Sequence, residues 1–324
     1  MASEAVAVST PVGVRFSGAS EAGRVRAVNQ DSFFVGNVPG RGVLAVVADG
    51  MGGHQTGEVA SQKAIDIVRR ELARSRSHPP AAIAKAVQAA NAEIFDYAVE
   101  HPEHQGMGTT LTVVFLDDQV GLVGHIGDTR AYLIRGGEIK PLTQDHSWVA
   151  ERVRQGVLSE DEAKRHRWRN VITNALGATE EIKLDLLYFE VEPGDRVLLC
   201  SDGVSMLVSD DAMAQVVTEQ PPDRAASRLI ELANERGSPD NITAVVLEAV
   251  TVEPSAKHYD LPESALSPAS VKISASMSGI RQVEEAFPKR DLLTKLRRKS
   301  WYPYRYWILG CLYLILLFLL FSLR

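Results

Sequence analysis

Cysteine is scarce in this chain, two among 324 residues, and the scarcity excludes several chemistries at once. Cys200 lies in an apolar, strand-like run and Cys311 in an extremely apolar tail, so the two are not expected to meet in a disulfide. They cannot assemble a four-ligand structural zinc site either. A cysteine phosphatase grips its phosphate with an arginine six positions after the nucleophile, but Met206 and Leu317 stand six after Cys200 and Cys311. The first ten residues lack a basic segment followed by an apolar run, so a secretory leader is not expected and a reducing cytoplasm is the default compartment. Also missing are a Gly-x-x-x-x-Gly-Lys-Ser/Thr phosphate loop, a kinase catalytic loop and a His-Glu-x-x-His zinc helix.

Positive charge is scarce too, except at one end. The formal net charge is -6, yet from Lys289 onward there are eight Lys or Arg against one acid, about +7, which leaves about -13 on everything before it. An acidic body argues against a nucleic-acid reader or a two-metal nuclease, whose phosphate contacts need clustered basic side chains. The tail reads differently. Residues 306–323 form an almost unbroken apolar run of about eighteen residues, close to the minimum for a helix crossing about 30 Å of hydrocarbon. The preceding residues 289–305 carry six of the basic residues before an aromatic belt of Trp301, Tyr302 and Tyr304, which Tyr306 and Trp307 continue. Basic flanks face the cytoplasm, so a single-pass C-terminal anchor with its body in the cytoplasm is expected.

What remains is a chain rich enough in apolar residues, 45%, to bury a sizeable core. Composition shifts near Val250. Residues 1–250 alternate strand-like and helix-like segments; residues 251–288 read as a Ser/Pro/Ala-rich linker. Strands are expected at 43–48, 110–116, 119–126, 131–134, 196–200 and 242–247. Ala60, Ala64, Val68 and Leu72 share one helical stripe; Ile83, Val87, Ala90, Ile94 and Ala98 share another, with Pro79 and Pro80 marking the break. A second helix pair, 210–219 and 223–235, precedes the last strand. Strand runs interrupted by helix pairs suggest an α+β fold of largely antiparallel sheets covered by helices.

Several strands run straight into an aspartate: Ala45-Val46-Val47-Ala48 into Asp49-Gly50, His125-Ile126-Gly127 into Asp128, and Leu198-Leu199-Cys200-Ser201 into Asp202-Gly203. Asp240 instead precedes a strand. One Asp-Gly is ordinarily a turn signal. In antiparallel neighbours, however, the end of one strand lies beside the start of the next, so the set can converge on one rim. Carboxylates so gathered repel one another and raise one another's pKa unless cations neutralise them. Hard oxygen ligands suit magnesium or manganese, and a pair of such ions about 4 Å apart can activate a water toward a phosphoester.

At these residues the chain resembles the metal-dependent protein phosphatases of type 2C, the PPM family, especially its short bacterial members. The blocks that carry the resemblance are Gly23-Arg24-Val25-Arg26-Ala27-Val28-Asn29-Gln30-Asp31, Val47-Ala48-Asp49-Gly50-Met51-Gly52-Gly53-His54, Gly108-Thr109-Thr110, Gly127-Asp128-Thr129-Arg130, Ser201-Asp202-Gly203 and Ser238-Pro239-Asp240-Asn241-Ile242-Thr243. The resemblance implies a four-layer α/β/β/α sandwich that hydrolyses phosphoserine or phosphothreonine on cytoplasmic or membrane-associated proteins, with Mg2+ or Mn2+ in two sites and a third. It implies that Asp49 bridges two ions and Gly50 adds its carbonyl, that Asp202 and Asp240 complete one ion, and that Asp31 holds its water. Asp128 with Asp202 matches the third-ion position, and Arg26 the phosphate-gripping arginine, a guanidinium being suited to two phosphate oxygens. Residues 147–177 resemble the arginine-bearing flap beside the active site.

Two positions depart from the pattern: Gln30 stands where many members have glutamate, and Met51 where eukaryotic members have the histidine thought to protonate the leaving group. A weaker metal site and an unassigned general acid are the expected consequences, with His54 more suited to shaping the glycine-rich turn. A membrane-tethered scaffold with a catalytically weak site is the alternative these departures support. Phosphoproteins, including those of Ser/Thr kinases, and the membrane are the expected partners, with no nucleic acid.

Overall fold

The computed structural model describes residues 13–53, 56–252 and 280–286. The order is β1 (Gly13–Glu21), β2 (Asp31–Val38), β3 (Gly42–Met51), α1 (Thr56–Arg74), α2 (Pro79–Glu100), β4 (Gly108–Thr109), β5 (Leu111–Asp117), β6 (Val120–Ile126), β7 (Arg130–Arg135), β8 (Glu138–Pro141), α3 (Trp148–Arg154), α4 (Glu160–Arg165), β9 (Lys183–Glu190), β10 (Arg196–Cys200), α5 (Asp202–Ser205), α6 (Asp210–Glu219), α7 (Pro222–Glu235), β11 (Ile242–Thr251) and β12 (Ile280–Ala286). One sheet runs β1-β11-β10-β7-β8 and the other β12-β9-β6-β5-β3-β2, with the short β4 beside β3. Every pairing is antiparallel.

The period of two along each strand makes the layers. In β3, Val43, Ala45 and Val47 enter the core between the sheets, while Leu44, Val46 and Ala48 face the core under α1 and α2. In β11, Val245, Leu247 and Ala249 enter the inter-sheet core, while Ala244 and Val246 meet α6 and α7. Strands buried on both faces are continuous apolar runs for this reason. Three cores between four layers give an α+β sandwich of two antiparallel sheets with helices outside both.

Two expectations need correcting. Residues 251–288 are not wholly linker, because Ile280–Ala286 pairs along the edge of β9, from Ile280 opposite Phe189 to Ala286 opposite Lys183. That pairing occupies what would otherwise be an open sheet edge. The strand expected at 43–48 runs on through Asp49 and Gly50 to Met51, so both residues lie within the sheet. Among the described residues no helix is long and apolar enough to cross a membrane. The apolar run 306–323, the basic segment 289–305, Cys311 and His54 lie outside the described residues.

Candidate metal and phosphate site

Backbone register brings the aspartates together. Asp31 opens β2 directly opposite Asp49 on β3. Asp202 begins α5 two residues beyond the end of β10, and Asp240 lies just ahead of β11, the strand paired with β10. Asp128 sits in the turn between β6 and β7. The two sheets thereby present all five at one end. Asp31 is buried, whereas Asp49, Asp128, Asp202 and Asp240 are each half-buried.

Their electrostatics are those of an uncompensated anionic cluster. Burial raises the Asp49 carboxyl well above the usual range, and the charges of Asp31, Asp202, Asp128 and Asp240 push it further. Burial, then Asp240 and Asp31, lift Asp202 to about 7. Burial lifts Asp31 to about 6, opposed by hydrogen bonds from Thr243 and Ser201. Asp128 is also raised, by burial and then by Asp202 and Asp145. Thr243 Oγ1 donates to Asp31 Oδ2 at 2.7 Å, but Asp31 Oδ1 and Asp202 Oδ1 are buried without a hydrogen-bond partner. Orphaned carboxylate oxygens in an anionic cluster fit a divalent cation.

Gly50 fits the same purpose by having no side chain. A Cβ there would lie 2.1 Å from the Gly57 carbonyl oxygen and 2.6 Å from that of Gln30, so β3 and the start of α1 approach closely only because both positions are glycine. The Gly50 N–H donates to Gln30 O at 3.1 Å, and the Asp49 N–H to Thr110 Oγ1 at 2.9 Å. Thr109 Oγ1 donates to the Asp49 carbonyl at 2.9 Å. The chain at Asp49-Gly50 is therefore pinned from both sides. Gly57 carried no signal in the sequence, because its role exists only against Gly50.

Arg26 stands in the loop between β1 and β2 and donates from Nη2 to Asp240 Oδ2 at 2.8 Å. That hydrogen bond, then the charge of Asp240, raises its pKa; the charges of Asp49 and Asp202 act in the same direction. Asp240 Oδ1 accepts from the Asn241 N–H at 2.9 Å, so both its oxygens are engaged. Among the described residues, no three acidic, imidazole or thiol side chains are gathered tightly enough to hold an ion unaided. With side chains 52% and 29% exposed, the Arg26–Asp240 pair contributes no more than about 1 kcal/mol and is easily exchanged for other partners.

Asn241 is the residue whose role the motif left unread. It is buried; its Oδ1 accepts from the Gln30 N–H at 2.9 Å, and its Nδ2 donates to the carbonyls of Val28 at 3.0 Å and Ala22 at 3.1 Å. One side chain thus closes the loop that carries Arg26. Asn241→Ala is expected to lower stability by about 2–4 kcal/mol and to raise KM more than it lowers kcat. Urea midpoints and steady-state kinetics on a phosphopeptide check this, and an unchanged KM would remove the loop-closing role.

The flap consists of α3 and α4 with a return segment that bridges at Ser147–Ile172 and Thr109–Leu176. Its second bridge falls on the threonine that holds Asp49. Ser159 caps α4 in a reciprocal capping box with Glu162. Trp148 stacks on His166 at 4.9 Å and meets Trp168 edge-on at 4.7 Å, with Arg152 and Arg167 over the indole rings.

Comparison with known proteins assigns the family. The family model described as protein phosphatase 2C matches residues 20–241. The chain belongs to the protein phosphatase 2C family. It is 41% identical over 243 residues to the serine/threonine protein phosphatase PstP of Mycobacterium tuberculosis, covering 73% of this chain and 45% of PstP. It therefore spans less than half of that relative's length. Over 235 residues it is 32% identical to the serine/threonine phosphatase stp of Listeria innocua, covering 71% of this chain and 93% of that one. Among solved structures, the catalytic domain of PstP in complex with two manganese ions superposes with a TM-score of 0.67 at 38% identity, covering 74% of this chain and 99% of that one. In this protein phosphatase 2C domain, Asp31, Asp49, Asp128, Asp202 and Asp240, each from a block read in the sequence, meet at the end of the two sheets.

Proposed function

We propose that this chain hydrolyses phosphoserine and phosphothreonine esters of proteins, using magnesium or manganese. The observation that carries the reading is the convergence of Asp31, Asp49, Asp128, Asp202 and Asp240 at one end of the sandwich, with orphaned carboxylate oxygens and Arg26 beside them. PstP's catalytic domain, a structural relative, holds two manganese ions. Asp49, the Gly50 carbonyl, Asp202 and Asp240 are the residues that would hold two such ions, and Asp128 with Asp202 a third. Bound there, divalent ions supply the charge that cancels the carboxylate repulsion and make water acidic enough to attack phosphorus without a covalent enzyme intermediate.

The protein's own groups do the rest. Arg26 grips two phosphate oxygens once it leaves Asp240, and Asp31, opposite Asp49 on the neighbouring strand, accepts hydrogen bonds from water in the site. Gln30 stays neutral and adds no charge to the cluster. Met51 cannot donate a proton, so the leaving alkoxide takes its proton from water. Arg26→Ala is expected to cost about 10–100-fold in kcat/KM, mostly through KM, for phosphopeptides. An effect below about threefold would take Arg26 out of the phosphate site.

The decisive test uses residues 1–287 with phosphoserine and phosphothreonine peptides, with and without manganese. Phosphate release only with the ion is expected, and its loss in Asp202→Asn. No release under any condition would sink the proposal.

The tail extends the reading. We propose that residues 306–323 anchor the chain in a membrane with the catalytic domain on the cytoplasmic side, supported by the apolar run and the basic segment 289–305 before it. Tethering raises the effective concentration of the domain toward membrane-bound phosphoproteins, including Ser/Thr kinases, without new contacts. In sealed inside-out vesicles, added protease should digest the domain; protection of the domain would reverse the orientation.

A further inference from the structure

His146 has no role in the site as described, yet every polar atom it owns is committed. It lies between β8 and α3 and is buried, as are Asp185 on β9 and His125 on β6. Its backbone N–H donates to the Gly127 carbonyl at 2.7 Å, and its own carbonyl accepts from the Thr173 N–H at 2.8 Å. The ring Nδ1 accepts from the Gly127 N–H at 3.2 Å and from Asn174 Nδ2 at 3.0 Å. That fixes the ring proton on Nε2, which donates to Asp185 Oδ2 at 3.1 Å. The His125 ring packs against it with centroids 4.9 Å apart.

These contacts bracket one turn. Gly127 has φ +104° and a Cβ there would lie 2.5 Å from Thr110, so the backbone is left-handed and has no room to adapt. Asp128 follows at once. Beyond it, Arg130 is clamped in a two-point ion pair by Asp145, the neighbour of His146, at 2.9 and 2.7 Å. Adjacent residues thus fasten the Gly127-Asp128-Thr129-Arg130 turn at both ends. On the return segment of the flap, Thr173 is fastened to the His146 backbone carbonyl and Asn174 to its imidazole, and Asn174 also bonds the backbone of Lys183 near Asp185.

We infer that His146 is a positioning residue for Asp128, oriented by Asp185, and that it ties the end of the flap to the position of that carboxylate. The inference rests on the reading of Asp128 as an ion-holding residue. It acts by a specific acceptor, Nδ1, on a specific backbone N–H, rather than by filling space. Conservative variants therefore separate its two sides. In His146→Asn the amide oxygen falls near the place of Nδ1, keeping the Gly127 contact and giving up Asp185. In His146→Gln the amide falls near the place of Nε2, keeping Asp185 and giving up Gly127.

The test is calorimetric titration of the full chain in detergent with Mn2+ alone, beside Asp128→Asn. Asp128→Asn is expected to remove the weakest binding event. His146→Gln is expected to weaken that event about tenfold, and His146→Asn to keep it within about threefold, while tighter binding stays unchanged in both. Amide hydrogen exchange at Gly127 should accelerate in His146→Gln only. Asp185→Asn, an isosteric change on another strand, should weaken the event by about threefold and serves if His146→Gln does not fold. If Asp128→Asn removes the event while His146→Gln leaves it intact, the inference fails and the reading of Asp128 stands. If Asp128→Asn changes nothing, that reading falls and the inference with it. Equal losses in both His146 variants would mark the residue as structural only and also overturn it.

Discussion

Asp49→Asn is expected to reduce phosphoester turnover by about a thousandfold or more, while the metal-free protein melts no lower than its parent. The two halves of that expectation have one cause. Asp49 is the carboxylate on which the charges of four other aspartates act, in a site where burial already disfavours ionisation. Replacing it with a neutral isostere removes repulsion from the metal-free fold. The Asp49 N–H to Thr110 bond and the bonds to its carbonyl are backbone bonds and survive the change. A stabilisation of about 1–2 kcal/mol without metal is in keeping with relief of a buried like-charge cluster. In manganese the order should invert, because the parent gains stability from ion binding and the variant gains much less. Melting curves with and without the ion, beside turnover of a phosphothreonine peptide, check it. A variant that keeps manganese stabilisation, or turnover within roughly tenfold, removes Asp49 from the centre of the site.

The second large effect is on stability in acid. His125 is wholly buried in β6; its Nδ1 stands 3.0 Å from Thr112 Oγ1 and its Nε2 3.1 Å from the Gln144 carbonyl. Burial, then the neighbouring His146, lower its pKa to about 4, against partial opposition from Asp185 and Asp145. A histidine whose folded pKa lies below the unfolded value favours folding while both states are neutral. That stability is fully present above pH about 6.5, is lost as pH falls through about 4, and amounts to about 3 kcal/mol. His125→Asn is expected to be less stable than the parent at pH 7 but to lose less between pH 6.5 and 4, so the two stability curves converge in acid. Urea midpoints at several pH values in that window measure this. Parallel curves would show that His125 does not take up the proton.

Gly50 and Asn241 show where a motif stops and a fold begins. Both belong to blocks that are recognisable one residue after another. Yet the reason Gly50 must be glycine is the carbonyl of Gly57, and the reason Asn241 must be an amide is the loop of Ala22 and Val28. Those partners are remote from the motif or unremarkable within it, so no spacing rule points to them. His146 is similar: an isolated histidine in sequence, it becomes informative only when Gly127, Asn174 and Asp185 meet around it.

Strands were legible in proportion to their burial on two faces. β3, β5, β6, β10 and β11 are largely apolar runs because each faces two cores, whereas β2 lies at a sheet edge, and its mixture of half-buried residues gives no clear period. β9 is buried on both faces, but Asp185 and Tyr188 interrupt its apolar character. β12 is held by main-chain pairing with β9, a contact to which composition is blind. The stretch around it therefore reads as linker.

By itself the sequence determined the residue types of the site and the layers around it: aspartates beside buried strands, a guanidinium ahead of β2, and helix pairs with apolar stripes. Those follow from local chemistry, the period of two in strands and 3.6 in helices, and from carboxylates being good ligands for hard cations. Only the tertiary structure decided that Asp31 stands opposite Asp49, that Arg26 rests on Asp240, and that one imidazole fastens the Asp128 turn to the flap. Register between strands and contacts between remote loops arise from packing the two sheets face to face, and residues more than two hundred positions apart meet only when that packing is complete.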